Sequence, residues 1–207
     1  LAASMSEDIG NTDKLSLFRA ELDRMGIALL PPDINHSGAD FLVEEREDEP
    51  PAIRYALAAL KNVGSAAMAA VVAERAAKGP FRSVFDFADR LGTQVFNKRQ
   101  IENLVRAGAF DGLNPNRHQL FDAVEMLVRH ASAAQNDRQS NQVNLFGDTT
   151  PPPPPLPAVE DWPAEDRLQQ EFEAVGFYLS SHPLRSYAKT CARLGVVESS
   201  AVSSGRM

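Results

Sequence analysis

The stretch Leu60-Lys61-Asn62-Val63-Gly64-Ser65 constrains this chain more than any other. It separates an apolar run, Ile53 to Leu60, from an alanine-rich run, Ser65 to Ala77. Ile53, Ala56, Leu57 and Leu60 fall at i, i+3, i+4 and i+7, which predicts an amphipathic helix ending at the turn. Asn62 and Gly64 are residue types that accept a positive φ, and Val63 between them points inward to anchor a tight hairpin. A second helix starts at once, so the unpaired N–H groups of its first turn face outward with the positive end of the helix dipole behind them. That is an anion site. A phosphate oxygen fits it without any reading of bases, and Lys61 supplies a neighbouring cation.

Asn62-Val63-Gly64 between two short helices resembles the helix-hairpin-helix motif, a sequence-independent binder of the DNA backbone. The usual pattern has glycine at both ends of the hairpin, and here Asn62 stands at the first. The alternative is a plain αα-hairpin that packs helices and holds no ligand.

The net charge of −7 argues against reading the whole chain as a nucleic-acid binder. The distribution of that charge leaves room for one basic part. From Ile53 to His130 eleven Lys/Arg face seven Asp/Glu, a surplus of +4, which leaves −11 on the rest of the chain, notably at Glu44 to Glu49. Cys191 is the only cysteine, so no disulfide framework and no cysteine zinc site is available, and a reducing, cytoplasmic setting is expected. The four histidines show no ligand spacing. With no run long enough to span a bilayer, no membrane partner is expected. The absence of an initial Met and the ending at Gly205-Arg206-Met207 suggest an internal piece of a longer protein.

Along the chain, Asn11-Thr12-Asp13 starts a helix whose buried stripe is Leu15, Phe18, Leu22 and Met25, and Gly26 ends it. Pro31-Pro32 forces an extended segment, Phe41 to Val43 reads as a short strand, and Glu44 to Pro51 as a charged linker. Ser83 with Asp86 makes a capping-box-like start, and Asn97 caps the next helix, through Ile101, Leu104 and Val105. After the turn at Gly108 to Gly112, a fifth helix buries Leu120, Phe121, Val124, Leu127 and Val128. The fold class is therefore all-α, with two helix-turn-helix units joined by a helix into a five-helix domain. Lys98, Arg99 and Gly108 mark the second unit as a weaker candidate for phosphate contact.

From Ala131 the composition turns to Ser, Ala, Asn and Gln, and Pro151 to Pro155 forms a stiff spacer. Inside this linker lies Gln142-Val143-Asn144-Leu145-Phe146, which resembles the pentapeptide by which bacterial replication proteins dock on the β sliding clamp. Leu145 and Phe146 fill an apolar pocket in that reading, and Gln142 bonds at its rim. The alternative is that Leu145 and Phe146 fold back onto the helical domain.

Taken in order, five sets of residues resemble the bacterial C-family replicative DNA polymerases, the DNA polymerase III α-subunit family. They are Gly10 to Leu15, Met25-Gly26-Ile27 with Leu30 to Asn35, the hairpin with Gly79 to Ser83, Asn97-Lys98-Arg99 with Ala107 to Asp111, and Gly176 to Leu179 with His182-Pro183-Leu184. The resemblance implies that residues 1–51 are the end of a fingers domain and a linker. Residues 52–135 are then a tandem helix-hairpin-helix domain on duplex DNA, 136–160 a linker carrying the clamp motif, and 161–207 a helix leading into an OB-fold. It also implies catalytic aspartates and their Mg2+ in a palm region absent from this piece, no cofactor here, and partnership with the other subunits of the polymerase III holoenzyme. Two alternatives stay open: a hairpin scaffold for protein contacts only, and an error-prone C-family paralogue.

Overall fold

The computed structural model describes residues 1–92, 97–139, 153–187, 190 and 193–196. Helix α1 (Ala2–Glu7) leads into α2 (Thr12–Met25), which starts where Asn11 accepts a bond from the Lys14 amide and stops at Gly26 with φ +70°. Leu15 and Leu22 are buried, Phe18 partly so, while Met25 is left exposed.

A small sheet corrects the all-α expectation. Strands β1 (Leu29–Leu30), β2 (Leu42–Arg46) and β3 (Glu49–Arg54) pair in the order β1-β3-β2, with β1 parallel and β2 antiparallel to β3. The charged stretch read as a linker is thus a hairpin, turning at Glu47-Asp48, where Asp48 takes a φ of +60°. Across it Arg54 grips the Glu44 carboxylate with two bonds of 2.6 and 2.7 Å.

The helix expected over Ile53 to Leu60 is a second correction. Its first residues end β3, and only Leu57–Ala59 coil, as one 3-10 turn. The helical spacing of Ile53, Ala56, Leu57 and Leu60 misled because Tyr55 and Ala59 between them, and Ala52 just before them, are buried as well. A run covered on all sides carries no periodicity to read. The backbone bonds decide the geometry: Ile53 and Tyr55 donate to Ala28 and Leu30 across the sheet, and Leu57 and Ala58 to Gly38 and Ala39.

Beyond the turn come α3 (Ser65–Lys78), α4 (Val84–Leu91), α5 (Lys98–Arg106) and α6 (Arg117–Gln139). Ser83 caps α4 by accepting from the Asp86 amide at 3.0 Å, and Asp86 reaches back to the Arg82 amide, one residue earlier than a standard capping box. Helix α6 continues to Gln139, past the change in composition at Ala131. After the linker, α7 (Ala164–Val175) packs on α5, and a 3-10 turn covers Pro183–Tyr187.

One buried core joins these parts, from Met5 in α1 to Leu179 after α7. The loop 31–37 pins the pieces together. Ile34 donates to the Ala109 carbonyl, Asn35 bonds both backbone groups of Phe81, and Arg75 of α3 donates to the carbonyls of Ile34 and Ser37. Tyr55 sits at the centre, edge-on to Phe41 and Phe177, and burial pushes its phenol pKa far up.

Candidate nucleic-acid interface

The hairpin at the start of α3 has the geometry its residues predict, with one exchange of roles. Asn62 takes the left-handed φ of +59°, and Val63 is buried with its amide bonded to the Leu60 carbonyl at 3.2 Å. Gly64 does not need a positive φ: at −78° it is the extended N-cap residue of α3. Its small size serves a close approach instead, since a Cβ there would lie 3.3 Å from Gln100 Nε2. That approach brings Gln100, in the first turn of α5, against the hairpin.

The amide end of α3, like that of the short α1, carries neither a side-chain cap nor an acidic first turn. Asn11, Ser83 and Asn97 cap α2, α4 and α5 with side-chain oxygens. Gly64 provides no side-chain cap, and the first turn of α3 carries no acidic residue. Ser65 and Ala66 are exposed and Ala67 is half-buried. An uncapped, acid-free helix N-terminus with small exposed residues offers its N–H groups and dipole to an anion from outside.

The cations around it are unequal. Arg99 has no ion pair among the described residues, and its amide is taken by Asn97. Lys98 is paired with Glu125 at 2.5 Å, a surface contact that water and salt weaken. Lys61 turns toward the carboxyl end of α7: its amide donates to the Ala174 carbonyl at 2.9 Å, and its Nζ lies 6.0 Å from the Phe172 ring centroid. A cation at a helix C-terminus is favoured there by the dipole, which ties Lys61 to α7 as well as to the hairpin.

The second hairpin is built differently. Gly108 has a φ of +82° and is buried, and its amide is engaged with the Val105 carbonyl, which removes it from the groups facing solvent. An added Cβ would come within 1.9 Å of the Arg117 guanidinium. That guanidinium holds Asp111 with bonds of 2.9 and 2.7 Å and donates to the Arg106 carbonyl at 3.0 Å. It also lies 3.9 Å from Glu171, whose other oxygen accepts from the Leu179 and Ser180 amides. Arg117 and Glu171 are almost fully buried, so this is a structural tie between hairpin and α7. No sequence periodicity marks a buried Arg–Glu pair, and sequence reasoning missed both residues. The predicted clamp residues Gln142, Leu145 and Phe146 lie outside the described residues.

Among the described residues no helix is long and apolar enough to cross a membrane, and no three His, Cys, Asp or Glu side chains gather as metal ligands.

Comparison with known proteins agrees with this geometry. The family described as helix-hairpin-helix motif matches residues 26–120. The chain is 50% identical over 184 residues to DNA polymerase III subunit alpha of Caulobacter vibrioides, covering 88% of this chain and 16% of that protein. It is 39% identical over 189 residues to the subunit from Thermus aquaticus, with 90% and 15% covered. The identity is 37% over 191 residues to that of Neisseria meningitidis serogroup B, with 91% and 16% covered. The chain thus spans about 16% of the length of these relatives, and over that span it is similar to DNA polymerase III subunit alpha.

Proposed function

We propose that this chain is the part of a replicative DNA-directed DNA polymerase that grips duplex DNA by its backbone. The single observation that carries this reading is the uncapped, acid-free N-terminus of α3 presented by the Asn62-Val63-Gly64 turn. Phosphate oxygens accept bonds from its first-turn amides, while Arg99 and the more weakly committed Lys98 and Lys61 add charge without reading bases. Polymerising chemistry, with its Mg2+, belongs to the whole protein; the role of this segment is grip and attachment. In the same reading residues 1–51 close a fingers domain, 161–207 lead toward an OB-fold, and other holoenzyme subunits are partners in the cytoplasm.

Backbone binding releases counterions, so log affinity falls linearly with log salt by roughly 0.9 per phosphate neutralised. Titration of the chain against two duplexes of unrelated sequence is expected to give the same affinity for both and a loss of more than tenfold between 50 and 200 mM salt, on the order expected for a few phosphate contacts. Salt-independent binding would remove the hairpin from the account.

The second attachment is the β sliding clamp, through Gln142, Leu145 and Phe146. A Leu-Phe pair within a Ser/Asn/Gln-rich stretch fits an anchor for a partner's apolar pocket. Replacing Leu145 and Phe146 with Ala is expected to abolish clamp capture in a pull-down, and undiminished capture would refute this role.

A further inference from the structure

The amide end of α6, the counterpart in the second hairpin of the start of α3, already holds an anion from its own chain. The His118 N–H donates to Asp161 Oδ1 at 3.1 Å, and the Gln119 N–H to Asn116 Oδ1 at 2.9 Å. Residues 157–162 lie across that first turn. Gln119 Nε2 donates to the Pro157 carbonyl at 2.8 Å, Asn116 Nδ2 to the Val159 carbonyl at 2.8 Å, and His118 Nδ1 is 2.9 Å from the Glu160 carbonyl. Trp162 stacks on the His118 ring at 5.3 Å and 22°, with Phe121 at 5.5 Å on it as well. Arg167 then bonds Asp161 and, at 2.8 Å, Asp111. Burial raises the Asp161 pKa, but the His118 and Trp162 amides and Arg167 outweigh it and hold the carboxyl below its ordinary value.

We propose that the second hairpin is closed to DNA by this segment: Asp161 occupies the place a phosphate oxygen would need, and Asp161 with Trp162 forms a latch fastening the chain after the linker to the DNA-gripping fold. Carboxylate and phosphate compete for the same His118 amide, the same helix dipole and the same Arg167 guanidinium, so the two occupancies exclude each other. Duplex is then held by the first hairpin alone, and the proposal rests on that reading of α3.

Trp162 is the only tryptophan, so its emission reports the latch directly. In the full chain Asp161→Ala is expected to red-shift that emission, raise duplex affinity about tenfold and steepen the salt dependence by roughly one phosphate contact. Glu160→Ala removes the same charge one residue earlier from an exposed side chain, and is expected to leave emission unchanged and affinity within twofold. If the alanine variant stays latched, Asp161→Arg, compared with Glu160→Arg, forces release, because a cation is repelled by Arg167 and by the helix end. A red-shifted Trp162 with unaltered affinity and salt slope overturns the proposal, as does an equal gain in the Asp161 and Glu160 variants. Failure of the first-hairpin reading is seen separately, as wild type and Ser65→Glu binding duplex alike, and a gain from Asp161→Ala still decides for or against the latch.

Discussion

Ser65→Glu is expected to lower duplex affinity at least tenfold while leaving the stability of the fold unchanged or slightly higher. The two effects have opposite signs for one physical reason. Ser65 is the first residue of α3, exposed, behind an N-cap that supplies no side-chain oxygen. A carboxylate there satisfies the helix dipole, worth about 0.3–1 kcal/mol to the folded state. It also puts a negative charge where a phosphate must sit, and tenfold weaker binding corresponds to about 1.4 kcal/mol. Damage to the fold would instead lower stability and binding together. Anisotropy with a labelled duplex and a thermal melt on the same preparation separate the cases. Charge reversal at Lys61 is a poorer test, because the Lys61 amine lies against the carboxyl end of α7 and the variant disturbs that junction too.

Gly108→Ala is the substitution expected to cost the fold most, about 3 kcal/mol or more in urea unfolding. The new methyl group would stand 1.9 Å from Nη2 of Arg117 and 2.4 Å from its central carbon. Arg117 cannot step aside cheaply, because it is nearly buried and held by Asp111, the Arg106 carbonyl and nearby Glu171. Pushing it out leaves the buried Glu171 without its cation, and the alanine must also adopt the left-handed φ of +82°. Gly26→Ala isolates the backbone contribution, since Gly26 sits in the left-handed region with a φ of +70° but has open space where the Cβ would go. It is expected to cost only about 1 kcal/mol. Equal, small losses at both positions would show that Arg117 does not pin the second hairpin.

Local chemistry was the part of this fold legible in the sequence. Asn11, Ser83 and Asn97 cap the helices they precede because a short polar side chain has few better uses before an apolar run, and Asn62 bends the chain as its tolerance of positive φ requires. What was hidden depended on contacts far along the chain. Residues Ile53 to Leu60 give up a helix because Ala28 and Leu30 offer strand partners and nearly every side chain is covered. The candidate site divides the same way. The exposed end of α3 was readable, whereas Gly108 became a packing residue through Arg117, and Asp161 reaches His118 from 43 positions away. Neither of those partners leaves a periodic trace.

The most direct measurement is an amide NMR titration of the chain with a short duplex of arbitrary sequence. The predicted result is that the largest shifts fall on Gly64 to Ala67 and on the neighbouring Lys98 to Gln100, are reversed by added salt, and leave Ala107 to Leu113 and His118 in place. Shifts centred on the second hairpin, with the first turn of α3 unmoved, would contradict the account.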